Sequence, residues 1–406
     1  MKPGRRRFLQ TAISSLSPLL AAESDPPRVV WHYEEPVTSI HKLVRTPVKI
    51  AAVELLQAGK DFFVRSTSTD GVVGLVKTKD VEDFTEIFCR RVAPYFIGKD
   101  ARDLESLIDG VHTRNYKLIG QAFWCPVAYV EQSLLDMLGK VAGKPAGEFF
   151  GPVLREEIPV YLSGSGRETT AEQEVDVYVR GIRETGAKAF KLKIGGRMSR
   201  NADAYPGRTK TMCALARKSA GDGIVLYADA NGSYDAKAGI EVGRMLQDLN
   251  YSFYEEPCPW EDYTETKRVA DALDLPVAGG ECDHRLWGYQ HMIENRVIDI
   301  VQPDINYNGG LIRTARVARL ARKAGLKITP HNTQTGPSGF NILQFASVTP
   351  NIGPFMEYPY RGAGKPQNWY SPQLKIVNGM IRAPKGAGMG VEFDPAYLAR
   401  ARRIQV

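Results

Sequence analysis

The chain has 406 residues, 43% of them hydrophobic, and a formal net charge of +7. This length and apolar content suffice for one large core or two domains, which excludes the disordered and fibrous classes. The basic residues are scattered along the chain, a distribution that suits anionic substrates and argues against nucleic-acid binding. The five cysteines show no paired spacing, so neither a disulfide framework nor a zinc site is indicated.

The first 22 residues resemble a twin-arginine export signal. Arg5-Arg6-Arg7 precedes a weakly apolar stretch over residues 11–20, and Ala21-Ala22 could form a small-residue cleavage site. The apolar stretch is too short to be a permanent membrane anchor. Export predicts a periplasmic protein, and the alternative is a disordered basic tail on a cytoplasmic one. Residues 23–47 contain four prolines and are predicted to form an irregular extension.

An α+β domain is predicted over residues 48–157. Apolar and polar residues alternate between tight turns at its start, and helical spacing of the apolar residues follows. The predicted strands are 48–57, 61–66 and 72–76, and the predicted helices are 81–92, 101–112 and 126–141. The turn at Ala58-Gly59-Lys60 makes the tip of the first hairpin short.

A barrel of alternating strands and helices is predicted over residues 158–360. Its first strand is predicted at 158–162 and its second at 189–194, after a helix at 171–186. From there, strand-like segments end at intervals of 23 to 36 residues in Lys193, Asp229, Glu255, Glu281, Asp304, His331 and Glu357. One strand, loop and crossover helix need about 25 to 30 residues, and catalytic groups of such barrels lie at the C-terminal ends of the strands.

The last part of the chain, residues 361–406, is predicted to leave the barrel and return to the first domain. Strand-like segments at 374–381 and around 389–393 are expected to complete that domain. A basic helix over residues 395–403 is predicted to end the chain.

Two lysines stand one residue apart in the second predicted barrel strand. Lys191 and Lys193 should point to the same face, because side chains alternate along a strand. Adjacent ammonium groups repel, which predicts a lowered pKa for each and a possible role as a base. The alternative interpretation is an edge strand with a solvated lysine face.

Three carboxylates end consecutive predicted strands and should meet at the mouth of the barrel. Asp229, Glu255 and Glu281 cannot all stay ionised close together without a cation between them. Oxygen ligands with room for water favour Mg²⁺ over zinc. Asn231, on the same face as Asp229, could add a neutral contact to metal or substrate. Solvated acids at the rim are the alternative.

Asp304 and His331 end the next two predicted strands. An aspartate beside a histidine fixes the tautomer of the ring and raises its basicity, as in many general bases. Strand seven lies three places around an eight-stranded ring from strand two, so His331 and Lys193 should approach the centre from opposite sides. A purely structural histidine is the alternative.

Seven motifs together resemble those of the enolase superfamily, mandelate racemase subgroup. They are Lys191-Leu192-Lys193, Asp229-Ala230-Asn231, Glu255-Glu256-Pro257, Gly280-Glu281, Gln302-Pro303-Asp304, Pro330-His331-Asn332 and Glu357. The resemblance covers about residues 48–394. It implies an α+β capping domain on a modified (β/α)₇β barrel, a homo-oligomer, and Mg²⁺ on Asp229, Glu255 and Glu281, with Glu256 structural.

The resemblance also implies a mechanism and a role for each catalytic residue. Lys193 and His331 would each move a proton on one face of a substrate carboxylate, while Mg²⁺ and Lys191 stabilise the enediolate. Asp304 would orient His331, and a protonated Glu357 would donate a hydrogen bond to the enediolate.

The resemblance leaves the reaction open between dehydration and isomerisation. The hairpin tip at residues 58–60 is shorter than the apolar capping loop of mandelate racemase, which favours a longer polar substrate and an acid-sugar dehydratase. A racemase, epimerase or cycloisomerase is the first alternative. An exported, non-catalytic sugar-acid binding protein is the second, although a binding protein has no use for two opposed bases.

Overall fold

The computed structural model describes residues 35–79, 81–164, 166–362 and 367–406. The predicted export signal at 1–22 lies outside the described residues. Residues 36–406 form a single structural unit. The predicted irregular extension ends in a short helix, α1 (Ile40–Leu43).

An antiparallel sheet forms the N-terminal part of the structure, as the alternating sequence predicts. Its first three strands are β1 (Ile50–Ala58), β2 (Asp61–Ser68) and β3 (Val73–Lys77). A two-residue turn, Gly59-Lys60, joins β1 to β2, and the φ of Gly59 is +62°, a conformation that glycine adopts without strain. The short hairpin tip therefore has the length that the sequence predicts.

Four helices follow in the chain, and the last of them packs across this sheet. They are α2 (Thr85–Ile87), α3 (Ala93–Phe96), α4 (Leu104–Arg114) and α5 (Gln121–Ala142), with short 3-10 or π-helical turns at Val81–Phe84, Phe88–Val92, Ala101–Asp103 and Ala146–Phe149. Helix α5 begins five residues before its predicted start at Pro126, which lies inside it. Proline disfavours a helix interior, but the turn before it buries Phe123 and Trp124, and this burial outweighs the lost hydrogen bond.

Eight parallel strands form the predicted modified barrel. They are β4 (Glu157–Ser163), β5 (Ala189–Lys193), β6 (Val225–Asp229), β7 (Phe253–Glu255), β8 (Val277–Gly279), β9 (Ile300–Val301), β10 (Lys327–Ile328) and β11 (Met356–Pro359). The strand order runs from β11 beside β4 through β5 to β10 in sequence. A parallel bridge between Ile328 and Ile352 connects β10 to the segment that leads into β11.

Seven helices alternate with these strands in the described residues. They are α6 (Ala171–Thr185), α7 (Arg208–Ala220), α8 (Ala236–Asp248), α9 (Tyr263–Asp271), α10 (Leu286–Glu294), α11 (Leu311–Lys323) and α12 (Phe340–Val348), the last preceded by a 3-10 turn at Gly336–Gly339. In α6, Thr170 and Gln173 form a reciprocal capping box, and Gly186 ends the helix with a φ of +70°. The alternation confirms the (β/α)₇β architecture.

The C-terminal segment contacts both parts of the structure. It contains β12 (Tyr370–Ser371), β13 (Met380–Arg382), β14 (Glu392–Phe393), α13 (Pro395–Leu398) and β15 (Arg402–Arg403). Strand β15 pairs with β1 and adds a fourth strand to the N-terminal sheet, whereas β13 pairs with the barrel strand β4. The expectation that residues 374–381 complete the first domain is therefore wrong.

The predicted helix over residues 395–403 is also wrong beyond Leu398. The backbone of β1 offers an unpaired edge, and the chain extends to pair with it, with Ile404 N–H donating to the Leu55 carbonyl at 2.8 Å. Trp369, Phe393 and Tyr397 pack near Phe63 of β2 and hold the segment in place.

The floor of the barrel is apolar and its upper interior is charged. Tyr161, Ala189, Tyr227, Phe253 and Ala278 form a buried cluster, in which the Tyr227 and Phe253 rings stack with centroids 3.8 Å apart. Because side chains alternate along β5, the inward face that begins at Ala189 continues with the two lysines of the motif. No helix in the described ranges has the length and apolar character needed to cross a membrane.

Candidate active site

Strand register brings three site residues to the same level at the C-terminal end of the barrel. Lys193 of β5 is paired in register with Asp229 of β6, which is paired with Glu255 of β7. Glu281 follows β8 by two residues. The segments that end in these residues are therefore neighbours around the mouth, as the sequence predicts.

The carboxylates of Asp229, Glu255 and Glu281 converge. One oxygen from each lies within 4.8 Å of the others. Asp229 and Glu255 are fully buried, and the buried Oε2 of Glu281 accepts no hydrogen bond. A buried carboxylate oxygen without a donor needs a compensating charge, which His331 Nε2 supplies in part from 3.4 Å. These three hard oxygen donors fit Mg²⁺, which takes carboxylate oxygens together with water.

The two lysines form ion pairs with these carboxylates. Lys191 Nζ lies 2.8 and 2.7 Å from the two Glu255 oxygens and 2.9 Å from Glu357 Oε1. Lys193 Nζ contacts Asp229 Oδ2. Burial lowers the pKa of both lysines, but the adjacent carboxylates outweigh burial and raise it. The predicted lowering of both pKa values is wrong, because repulsion between the lysines is smaller than attraction to the acids.

The pKa values of Asp229 and Glu255 shift in opposite directions despite equal burial. Burial favours the protonated form of both groups, yet the Lys193 and Lys191 charges hold the pKa of Asp229 well below its usual range. Burial raises the pKa of Glu255 to about 8, with Lys191 opposing this and Asp229 adding to it. Gln302 donates a hydrogen bond to Glu255 Oε2 at 3.0 Å. Asp229 therefore ionises more readily than Glu255.

His331 lies on the other side of the carboxylate cluster. Its Nδ1 is 2.9 Å from Asp304 Oδ2, and its Nε2 is 3.4 Å from Glu281 Oε2. Asp304 Oδ1 accepts the backbone N–H groups of Asn306 and Tyr307 at 2.7 and 3.1 Å, which fixes the carboxylate. Burial lowers the pKa of His331, but Glu281 and Asp304 outweigh burial and raise it to about 10. The predicted Asp304–His331 pair is present.

Glu357 is the second residue of β11 and is buried within the site. Its Oε1 contacts Lys191, and its Oε2 accepts the backbone N–H of Asn332 at 3.0 Å. Burial raises the pKa of Glu357, but Lys191 and His331 outweigh burial and lower it to about 2. Two cations therefore favour the ionised carboxylate in this arrangement, and the hydrogen bond that a protonated Glu357 would donate to the enediolate stays a prediction.

Asn231 lies beside Asp229, on the face that the sequence predicts. Its backbone N–H and its side-chain Nδ2 donate to the two Asp229 oxygens at 2.8 and 3.2 Å. Its Oδ1 accepts a hydrogen bond from Arg167 at 3.0 Å. Asn231 therefore holds Asp229 in place, and a direct contact to substrate stays a prediction.

Three residues of this site have no role assigned from the sequence. Gln302 and Asn332 belong to the motifs that contain Asp304 and His331, so the sequence could have indicated that both lie in the site. Arg167 follows β4, where only a glycine-serine loop marks the position.

Glu256 is buried with a φ of +41° and an Oε1 that accepts no hydrogen bond, and it lies within 4.8 Å of Glu281 and Cys282.

The geometry defines a class of site. A carboxylate cluster suited to a divalent cation lies between an amine and an imidazole, all at the C-terminal end of a barrel. Such an arrangement can ionise a weak carbon acid, because positive charge stabilises the anion while a base removes the proton.

The comparisons with known proteins agree with this class. Residues 174–397, more than half of the chain, match the family described as enolase C-terminal domain-like. The chain therefore belongs to the enolase superfamily, which confirms the resemblance seen in the motifs.

Two solved structures and one named enzyme are similar to this chain. A candidate racemase from Roseobacter denitrificans is 35% identical, with a TM-score of 0.83 over 88% of this chain and 100% of its own. A mandelate racemase/muconate lactonizing protein from Paracoccus denitrificans PD1222, solved with magnesium, is 28% identical, with a TM-score of 0.81 over 88% of this chain and 98% of its own. Arabinonate dehydratase from Saccharolobus solfataricus is 26% identical over 88% of this chain and 91% of its own length.

Proposed function

We propose that this protein is a magnesium-dependent dehydratase of an acid sugar. The observation that carries the proposal is the carboxylate cluster of Asp229, Glu255 and Glu281 between Lys193 and the His331–Asp304 pair. Neither a binding protein nor a structural protein needs two titratable groups on opposite sides of one carboxylate cluster.

The metal ligands would be Asp229, Glu255 and Glu281. When bound, Mg²⁺ would supply positive charge that stabilises the second negative charge on a substrate carboxylate as its α-proton leaves. The magnesium found in the Paracoccus relative supports this choice of metal. Gln302 and Asn231 would position Glu255 and Asp229 through the hydrogen bonds that they donate.

The chain's own residues would carry the protons. Asp229 and Glu281, once engaged as metal ligands, would no longer raise the pKa of Lys193 and His331 as strongly. Whichever of the two bases is neutral then removes the α-proton, and the other, protonated, donates a proton to the β-hydroxyl on the opposite side. The carbon–oxygen bond then breaks, water leaves, and the resulting enol becomes a 2-keto-3-deoxy acid. Lys191 would add positive charge beside the substrate carboxylate, while Glu357 would hold Lys191 in place through their 2.9 Å contact.

Dehydration of an acid sugar is favoured over other reactions for two reasons. Arabinonate dehydratase is similar to this chain over most of both lengths. The two-residue tip at Gly59-Lys60 gives a short hairpin, which suits a longer polar substrate. Racemisation or epimerisation is the second candidate, because it uses the same pair of bases and the Roseobacter protein is a candidate racemase.

The location and assembly of the protein are further expectations. The family resemblance favours a homo-oligomer. Arg5-Arg6-Arg7 and the apolar stretch after it favour export to the periplasm, and a basic tail on a cytoplasmic protein is the alternative.

A screen of mono- and diacid sugars with purified protein and Mg²⁺ tests the proposed function. Formation of a keto acid from at least one sugar, lost with a chelator and restored by Mg²⁺, is the expected result. Inversion at the α-carbon without keto-acid formation would replace dehydration by racemisation. If no acid is consumed and none exchanges its α-proton, the proposed function is wrong.

A further inference from the structure

Three arginines gather at one side of the mouth of the barrel. Arg167 belongs to the loop after β4, Arg197 belongs to the loop after β5, and Arg208 is the first residue of α7. Arg208 is 4% exposed, whereas Arg197 is exposed at the rim. The three side chains thus form a basic group that runs from the interior outward.

None of these guanidinium groups pairs with an acid in the part of the chain that the structure describes. Arg167 donates to the carbonyls of Gly195 and Ile194, each at 3.1 Å, and to Asn231 Oδ1 at 3.0 Å. The Arg197 guanidinium lies 3.5 Å from the same Asn231 oxygen. Two cations therefore converge on one neutral oxygen, and their charge is only partly compensated by the more distant carboxylates of Asp229 and Glu168.

The third arginine, Arg208, adds positive charge at the buried end of the group. Arg208 donates to the backbone carbonyls of Lys193, Gly166 and Thr169 at 3.2, 3.1 and 2.9 Å. These acceptors are neutral, so no carboxylate in the described ranges forms an ion pair with the buried Arg208 guanidinium. Asp229, the acid behind Asn231, is already paired with Lys193.

The loop after β5 holds Arg197 firmly beside the site. The Arg197 N–H donates to Ser233 Oγ at 3.0 Å, and the Met198 N–H donates to the Asn231 carbonyl at 2.9 Å. Arg197 and Met198 both have positive φ values, of +61° and +48°. The backbone is therefore fixed against the residues that follow β6, and the exposed guanidinium lies above them.

We infer that Arg197, supported by Arg167, binds a second anionic group at the far end of the substrate. The inference rests on the proposed function, in which one substrate carboxylate occupies the centre of the barrel. Asn231 connects that centre to the arginines, since it contacts Asp229 at 3.2 Å and both guanidinium groups. A guanidinium matches a carboxylate with two parallel hydrogen bonds, so the substrate class is a diacid sugar and not a monoacid with a neutral hydroxymethyl end.

Matched pairs of six-carbon diacid and monoacid sugars test this assignment. We expect a higher kcat/KM for the diacid, and we expect Arg197→Gln to lower it about tenfold to hundredfold, the usual loss for one charge-assisted hydrogen bond. The same variant should change kcat/KM for the monoacid by less than about threefold. Arg200→Gln is the matched control, because Arg200 is exposed in the same loop with a φ of +52° and has no contact with Asn231.

The outcomes separate this assignment from the proposed function. Calorimetric binding of the same acids needs no turnover, so it tests the arginine group even if no keto acid forms. If both acids bind equally well and Arg197→Gln leaves their affinities unchanged, the assignment is overturned. Keto-acid formation in the same preparation would still uphold the proposed function. Tighter binding of a terminally phosphorylated monoacid than of the diacid would also overturn the assignment to a carboxylate.

Discussion

Replacing Asp304 by asparagine should disable His331 without disturbing the fold. Both backbone N–H groups that reach Asp304, from Asn306 and Tyr307, bond to Oδ1, and an asparagine oxygen can accept them in the same way. The new amide N–H₂ would then face His331 Nδ1, at the 2.9 Å contact that Oδ2 now makes. A donor there forces Nδ1 to become the acceptor, so the proton moves to Nε2 and the ring loses its function as a base toward the site.

The cost of a wrong tautomer is large. In the serine protease triad the same substitution lowers kcat about 10⁴-fold, and we expect about 10³- to 10⁴-fold here, or about 4 to 5.5 kcal/mol of lost transition-state stabilisation. The assay is keto-acid formation under single-turnover conditions, with circular dichroism and the melting temperature as controls for folding. If Asp304→Asn retained more than about a tenth of the wild-type rate, the orienting role of Asp304 would be refuted.

Two further predictions concern the metal and the fold. Glu255→Gln and Glu281→Gln should each weaken Mg²⁺ binding at least about tenfold by calorimetry, because each removes one charged ligand. Glu261→Gln, at an exposed position, should leave the affinity unchanged, and equal affinity in all three variants would place the metal elsewhere. Asp136→Ala should lower the free energy of unfolding by about 2 to 5 kcal/mol in a denaturant titration, because buried Asp136 accepts the N–H groups of Leu75 and Met389 at 2.9 and 2.8 Å. Asp176→Ala, at an exposed position of α6, should lower it by less than about 1 kcal/mol. An equal loss in both variants would contradict this role of Asp136.

The places of the site residues could be predicted from the sequence because a barrel repeats its geometry. One strand and one helix recur at a nearly constant interval, so the last residue of each strand reaches the same end of the sheet. Asp229, Glu255 and Glu281 converge for this reason. The same regularity brings His331 beside Asp304.

The charge states of the site could not be predicted from spacing alone. The sequence suggests repulsion between Lys191 and Lys193, but the acids that dominate both pKa values belong to other strands. The pKa of Glu357 is lowered because Lys191 and His331, which belong to other strands and loops, lie near it. Electrostatics at a buried site depends on distances in three dimensions, which a pattern along the chain does not contain.

Non-local packing also determines the parts of the fold that differ from the prediction. The residues after Leu398 are basic and could form a helix, but the edge of β1 offers backbone partners that a helix end at the surface lacks. The loop that carries Arg197 has no sequence signal either, because its position depends on hydrogen bonds to Asn231 and Ser233.

Exchange of the substrate α-proton in D₂O, followed by proton NMR, tests most directly whether Lys193 and His331 act from opposite sides of the carboxylate cluster. With both α-epimers of an acid sugar that the enzyme consumes, Lys193→Ala should abolish exchange of one epimer only, and His331→Asn should abolish exchange of the other only. If one variant loses exchange of both epimers and the other variant keeps exchange of both, a single base acts and the account is contradicted.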